Sequence, residues 1–202
     1  MEKQEIVFRY LSDAFIGEGL SSFTQLSLSK ELGLSLSVVN KAVRNLSDIN
    51  AARVKNRSFD VIALDRLLLY WATHRSLKKD IIYKTRVDLP IRAIERQMPD
   101  KIAFTGYTAY KLLFKETPAD YSEVYLYVTE SSLAEVKRRF PQRNGVSNMI
   151  AIRCDSDLDD KINSRKLRGS SVSPAQLFVD LWNMNEWYSK DFIDALSKRV
   201  GI

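Results

Sequence analysis

The segment from Gln25 to Leu46, QLSLSKELGLSLSVVNKAVRNL, constrains this chain more than any other. It reads as two helices joined by a sharp turn at Gly33, the spacing of a helix-turn-helix, with glycine supplying the backbone freedom such a turn needs. Ser29, four residues before the glycine, is small enough to let the helices approach. After the turn, Leu34, Leu36, Val39, Val43 and Leu46 recur at helical spacing and are expected to pin the second helix to a core. Ser37, Asn40, Lys41, Arg44 and Asn45 then point outward. That face mixes hydroxyls, amides and cations, the groups that hydrogen-bond base edges and phosphates in a major groove. Ser35 and Ser37 open the helix, where hydroxyls and free backbone N–H groups favour phosphate. An ordinary helical hairpin with a solvated face shows the same pattern, and it stays open as an alternative.

The residues just after this motif tip the balance. Asn50 to Lys55 has strand character, Asn56-Arg57-Ser58 is a polar turn, and Phe59-Asp60-Val61-Ile62 reads as a returning strand. A helix-turn-helix with a basic hairpin directly behind it is the winged-helix arrangement. Arg53, Lys55 and Arg57 lie on or near the wing, in reach of a phosphate backbone or a neighbouring minor groove. Alternatively, the three cations keep an exposed hairpin edge soluble and unpaired.

A length of 202 residues allows one or two domains. With 45% apolar and 10% aromatic residues the chain can build cores, which argues against wholesale disorder. The net charge of +6 favours an anionic partner, and nucleic acid is one. Cys154 is the single cysteine, so no internal disulfide and no thiolate metal cluster is available, which suits a reducing cytosol. It sits in the apolar run Met149 to Cys154 and is expected to be a buried, inert thiol. The charged start MEKQEIVFRY is unlike a signal peptide, and no apolar run approaches bilayer length. A cytoplasmic protein without membrane contact is expected.

An opening helix is read from Glu2 to Ile16, burying Ile6, Tyr10, Leu11 and Ala14 and ended by Gly17 and Gly19. The apolar helix Leu64 to His74 is expected to complete the small domain, to connect to the next, or to serve as a homodimer surface. The predicted domains are residues 1–75 and 80–202, with the boundary where polarity rises between Arg75 and Lys79. The second half alternates strand and helix patterns. Strands are expected at Ile81 to Thr85, Ile102 to Thr105, Glu123 to Val128 and Asn148 to Cys154. Helices are expected at Leu89 to Met98, Gly106 to Phe114, Ser131 to Phe140 with a serine cap, Ser173 onward and Ser189 to Val200. The class is α+β, the second domain a mixed α/β unit on a small sheet.

Catalytic groups do not converge in this sequence. His74, the only histidine, ends an apolar helix, where a structural role is expected. Asp155-Ser-Asp157-Leu-Asp159-Asp160 opens like a calcium loop, but Asp160 stands where the turn glycine is needed and Lys166 where the bidentate glutamate is needed. A solvated acidic turn is expected, neutralised by Lys161, Arg165, Lys166 and Arg168. Phe104-Thr105-Gly106-Tyr107-Thr108-Ala109 followed by the strand EVYLYV resembles polymerase-β-type nucleotidyltransferases. In those, a glycine turn enters a helix and the next strand carries two metal-binding carboxylates. Here that strand reads Tyr125-Leu126-Tyr127, and Asp120 and Glu123 lie off the required spacing. The expectation is a nucleotidyltransferase-like scaffold without catalytic carboxylates: no catalytic residue, no metal ligand and no cofactor.

Taken in order, the winged helix, FTGYTAY, EVYLYV and the late VSPAQLFVDLW resemble the AbiEi-type antitoxins, transcriptional regulators of type IV toxin–antitoxin systems. Thr105, Gly106 and Ala109 carry the resemblance in the middle of the chain, and Ser173, Pro174, Gln176, Asp180 and Leu181 near its end. The long opening helix departs from the shortest family versions. The resemblance implies an N-terminal domain that binds inverted repeats in double-stranded DNA and represses its own operon. It also implies a C-terminal domain that counters a nucleotidyltransferase toxin without a stable complex. The expected DNA-binding residues are Ser35, Ser37, Asn40, Lys41, Arg44, Arg53, Lys55 and Arg57. The basic residues Lys137, Arg138, Arg139 and Arg143, with Arg165, Lys166 and Arg168, either extend that footprint, contact RNA, or form a solvated face. The competing functions are a nucleotidyltransferase-fold enzyme acting on nucleic acid and a ligand-sensing winged-helix repressor.

Overall fold

The chain is α+β and divides after Arg75. One unit runs up to that residue and takes in Lys198–Ile202, and the other is Ser76–Ser197. The architecture is that of a computed structural model describing residues 3–167 and 170–202. Glu2 and Arg168 lie outside the described residues.

In the first unit, α1 (Lys3–Glu18) is followed by the two-residue strand β1 (Ser22–Phe23), then α2 (Gln25–Glu31), α3 (Leu36–Asp48), β2 (Ala52–Val54), β3 (Phe59–Val61) and α4 (Leu64–His74). The opening helix buries more than a narrow stripe. Ile6, Val7, Phe8, Arg9, Leu11 and Ala14 are all buried, whereas Tyr10, expected inside, is half-buried. Partial burial, followed by a hydrogen bond to Glu31, pushes the Tyr10 phenol up to about 12. Gly17 lies within the helix, and Gly19, at φ +69°, is the residue that departs from helical backbone. The sheet runs β1-β3-β2, all antiparallel. β1 escapes a sequence reading because two residues show no alternation. It brings Phe23 to 5.8 Å from Phe59, and this aromatic pair helps fill the sheet's inner face. Helix α4 completes the core with Leu64, Leu67, Leu68, Trp71 and Ala72, leaving Leu69 exposed. His74 stacks on Tyr70 at 4.1 Å, with Nδ1 2.8 Å from the Tyr70 carbonyl.

Arg75, at the expected boundary, is part of the first unit's interior. Its side chain is fully buried, and Nη1 donates to Glu5 Oε2 at 2.9 Å. Trp71 Nε1 donates to the same oxygen at 3.0 Å. This buried ion pair ties α4 back to α1.

The second unit holds α5 (Leu77–Asp80), β4 (Ile81–Thr85), α6 (Ile91–Arg96), β5 (Ile102–Thr105), α7 (Gly106–Phe114), β6 (Val124–Val128), α8 (Glu130–Arg139), β7 (Met149–Arg153), α9 (Ser156–Asn163), α10 (Pro174–Trp182) and most of α11 (Ser189–Val200). Its sheet runs β4-β7-β6-β5. β6 and β7 are parallel, and the two edge strands are antiparallel to their neighbours. Alternation along β6 puts Val124, Leu126 and Val128 on one face and Tyr125 and Tyr127 on the other. Of these only Tyr125 retains partial exposure.

Two local expectations change. The cap of α8 is Thr129, whose hydroxyl accepts from Ser132 N while Ser132 Oγ accepts from Thr129 N, a reciprocal capping box. Ser132 is the third helical residue of that box. The acidic run is no solvated turn. Asp155 caps α9 by accepting from Leu158 N at 2.8 Å, and Leu158 and Ile162 are buried beneath it. Acidic side chains in a first helical turn also suit the helix dipole.

Candidate nucleic-acid interface

The candidate surface is built by α2, α3 and the β2–β3 hairpin. Thr24 caps α2, its hydroxyl accepting from Ser27 N at 3.1 Å. The chain then reverses through Gly33 at φ +62°, a conformation costly for other residues. No atom lies within 4 Å of where a Cβ would stand, so the glycine is required by backbone conformation and not by crowding. Ser29 does more than leave room. Its hydroxyl donates to the Leu34 carbonyl at 2.7 Å, and its own carbonyl accepts from Leu34 N at 3.1 Å. The two helices are thereby held at a fixed turn.

Helix α3 is strongly two-faced. Val39, Ala42, Val43 and Leu46 are buried. Leu34 is only half-buried and Leu36 is 48% exposed, so the anchoring face begins at Val39, a turn later than the sequence spacing suggests. Leu36 fails because it is the first helical residue, where the helix has only begun to approach the core. Ser37, Lys41 and Arg44 are exposed on the opposite side, on neighbouring turns. Lys41 and Arg44 have no ion-pair partner among the described residues.

Other expected contacts carry internal duties. Ser35 is exposed, but its hydroxyl caps α3, 3.4 Å from Val38 N. Asn40 is half-buried and donates its amide to Gln25 Oε1 at 3.0 Å, which leaves its own carbonyl oxygen as an acceptor. Asn45 donates to Gln4 Oε1 at 3.0 Å, bracing α3 against α1.

On the hairpin, Lys55 N donates to the Ser58 carbonyl at 2.8 Å and closes the turn. Arg53, Lys55 and Arg57 are all exposed. Arg53 sits directly across from Asp60 in the antiparallel register, and Lys55 forms an ion pair with Asp60. The Lys55 hydrogen bond is the main cause holding the Asp60 carboxyl below its ordinary range. One hairpin cation is therefore neutralised locally, while Arg57 stands at the tip.

The second unit spends its polar groups differently. Asp180 is fully buried. Thr105 Oγ1 donates to it at 2.7 Å, Tyr127 Oη at 2.9 Å and Gln176 Nε2 at 2.9 Å. The stretches around Thr105 and around Gln176–Asp180 thus meet in one buried network. Sequence spacing alone does not reveal it, since 75 positions separate Thr105 and Asp180. Gly106, beside Thr105, has φ +58°, and a Cβ there would stand 2.7 Å from Met184 Cε.

A second polar group gathers tyrosines around Glu186. Tyr107 Oη donates to it at 2.8 Å and Tyr125 Oη at 2.7 Å. Tyr188 donates to Glu123, whose carboxyl is pushed up chiefly by burial. Glu95 accepts from Thr108 at 2.8 Å and Tyr121 at 2.6 Å, and pairs with Lys111. Each carboxyl is enclosed by donors from the same unit. Among the described residues no group of three or more His, Cys, Asp or Glu side chains is arranged to hold a metal ion. Burial, more than the neighbouring Asp159, raises the half-buried Cys154 thiol to about 12, far from a reactive thiolate.

No helix among the described residues is long and apolar enough to cross a membrane. No protein-family model, curated protein or solved structure matches the chain.

Proposed function

We propose that this chain is a DNA-binding transcriptional regulator whose first unit acts as a winged helix. In this reading α3 enters the major groove, Lys41, Arg44 and the free carbonyl oxygen of Asn40 meet base edges, and Ser37 and the backbone at Ser35 face phosphate. Arg53 and Arg57 grip the backbone from the hairpin, and Lys55 joins them by exchanging Asp60 for a phosphate. The observation that carries the reading is the exposed Ser37–Lys41–Arg44 stripe on a helix anchored from behind by Val39, Ala42, Val43 and Leu46. A cationic stripe on a rigidly mounted helix, beside a basic hairpin, is what duplex recognition requires.

The more specific proposal is an antitoxin of the AbiEi type that represses its own operon, with a nucleotidyltransferase-like second unit lacking the catalytic carboxylates. It is supported by the hydrogen bond joining Thr105 to Asp180, which unites the two stretches bearing the resemblance. Cytoplasmic residence and double-stranded DNA as partner belong to the same proposal.

The test is an anisotropy titration of the full chain with DNA from upstream of its own coding sequence. The three hairpin cations neutralising phosphates should give a log–log salt slope of roughly −3. The double variant Lys41→Ala/Arg44→Ala should lose about 1–3 kcal/mol for each base contact removed. A salt-independent signal, or full affinity in the double variant, overturns the assignment of this face.

A further inference from the structure

Within the second unit, the segment after β4 and the C-terminal ends of α6 and α8 border an open cavity of about 320 Å³. Arg86, Arg139 and Arg143 line it, and among the described residues Asp88 is the one acidic side chain that does. Leu89 and Phe140 add apolar wall. The volume lies at the small end of ligand sites, and the mixture of apolar wall with a few convergent polar groups is typical of them.

The arginines are held in place by a built frame. Thr85, fully buried, accepts from Arg143 N at 2.8 Å and donates to the Pro141 carbonyl at 3.0 Å. The Asn148 side chain, 9% exposed, clamps Val87 from both sides, accepting from its N–H at 2.8 Å and donating to its carbonyl at 3.0 Å. Tyr83 Oη donates to the Phe140 carbonyl at 2.6 Å. These bonds fix the two segments that carry Arg86 and Arg143.

The charge inside is unbalanced. Asp88 accepts from Arg86 Nε at 2.9 Å and lies 3.5 Å from Arg143 Nη1. The Arg86 hydrogen bond is the main reason its carboxyl sits below the ordinary range. Arg139 is oriented by Gln97, whose carbonyl accepts from Nη1 at 2.8 Å, and by Glu135. Each guanidinium presents five N–H donors, so Arg86 and Arg143 sharing Asp88, and Arg139 held by Glu135 and the Gln97 carbonyl, leave donors to spare. A planar fork matches phosphate oxygens two at a time. Asp88 is an internal stand-in for such an oxyanion, since its two oxygens bridge two of the forks.

We propose that this cavity binds the phosphate group of a phosphorylated ligand, Arg86, Arg139 and Arg143 gripping the oxyanion and Leu89 offering a shelf to the organic part. Two carriers present that chemistry, a mononucleotide and a phosphorylated RNA terminus. The site is independent of the DNA-binding proposal, because none of its residues lies on α3 or the basic hairpin.

Calorimetry on the full chain at low salt tests it. The probes are adenosine monophosphate, adenosine, and a short oligoribonucleotide with and without a terminal phosphate. Saturable binding is expected for a phosphorylated probe and at least tenfold weaker binding, by order of magnitude, for its unphosphorylated counterpart. Equal affinity for mononucleotide and oligonucleotide assigns a small ligand, and binding of the oligonucleotide alone assigns an RNA end. Arg86→Gln/Arg143→Gln should weaken binding about 100-fold. Both side chains are about half exposed, so folding should survive and circular dichroism checks it. Asp88→Asn removes the competing carboxylate and should tighten binding. Lys41→Ala/Arg44→Ala should leave phosphate binding unchanged, which separates failure here from failure of the DNA proposal. Absence of saturation by every phosphorylated probe up to about 10 mM, or unchanged affinity in the double arginine variant, overturns the site.

Discussion

The two units treat polar side chains in opposite ways. In the second unit Asp180, Glu186, Glu123 and Glu95 are each met by hydroxyl, amide or ammonium donors of the same unit. In the first unit Lys41 and Arg44 project from α3 with no ion-pair partner among the described residues. Buried polar groups must be satisfied internally, because water is not there to do it. Groups left to solvent can exchange water for a partner at little cost. The contrast separates side chains that hold the fold from side chains available for recognition. The cluster with more chemical variety, around Glu186, belongs to the first class.

The first unit also commits polar groups internally, and its Glu5–Arg75 pair offers the strongest test of the contrast. Glu5→Ala removes the carboxylate to which both the fully buried Arg75 and Trp71 Nε1 donate. Breaking a buried pair by removing one partner costs about 3–5 kcal/mol. Urea unfolding should show a loss of that size, and a change below about 1 kcal/mol would mean that Arg75 finds water. Asp180→Ala should cost somewhat less, about 2–4 kcal/mol, because the donors that lose its carboxylate, on Thr105, Tyr127 and Gln176, are neutral.

The glycines sharpen the comparison at the next level. Gly33 and Gly106 share a left-handed backbone, but only Gly106 has a neighbour in the space of a Cβ. Gly33→Ala should cost about 1–2 kcal/mol from conformation alone. Gly106→Ala should cost more, since the Met184 thioether must also move. Equal costs in paired thermal melts would show that Met184 yields freely.

A smaller effect concerns pH. The Glu123 carboxyl is raised in the folded protein, so the folded state holds its proton where the unfolded state has released it. Its contribution is present below the unfolded value near pH 4 and is lost as pH rises through the folded value. Glu135 has the opposite sign. Arg138, with Arg139, lowers it to about 2, so its contribution is present above the unfolded value and fades as pH falls toward 2. Glu123→Gln, compared with the parent chain from acid to neutral pH, should remove only the loss of stability on raising pH. Parallel stability curves for the two proteins would discount Glu123. Smallest of all, Lys41→Ala/Arg44→Ala should leave stability within about 0.5 kcal/mol, because α3 holds the core with its other face.

Much of the fold was legible locally. The α2–turn–α3 order comes from Gly33 and the run of aliphatic residues, and α10 from Ser173-Pro174, whose hydroxyl accepts from Gln176 N at 3.3 Å. The misreadings share one cause, that the deciding partner is distant in sequence or the element too short for a period. Ser22–Phe23 forms a strand only because Phe59 and Asp60 pair with it. Arg75 reads as the polar start of a domain boundary until Glu5, 70 positions earlier, is seen beside it. Asn40 and Asn45 read as free amides, yet Gln25 and Gln4 accept from them. The arginine-lined cavity drew part of its basic residues from a run that sequence could only describe as charged; Thr85 and Asn148 give that run its shape.

The amino-acid order by itself determined the local elements of this protein: helix spacing, caps, the turn at Gly33 and the amphipathic character of α3. Those depend on contacts a few residues apart, where propensity and periodicity act. Tertiary structure alone decided which polar residues are committed and which remain available. Hydrogen-bond satisfaction depends on who arrives from elsewhere in the chain, and no local pattern encodes that arrival.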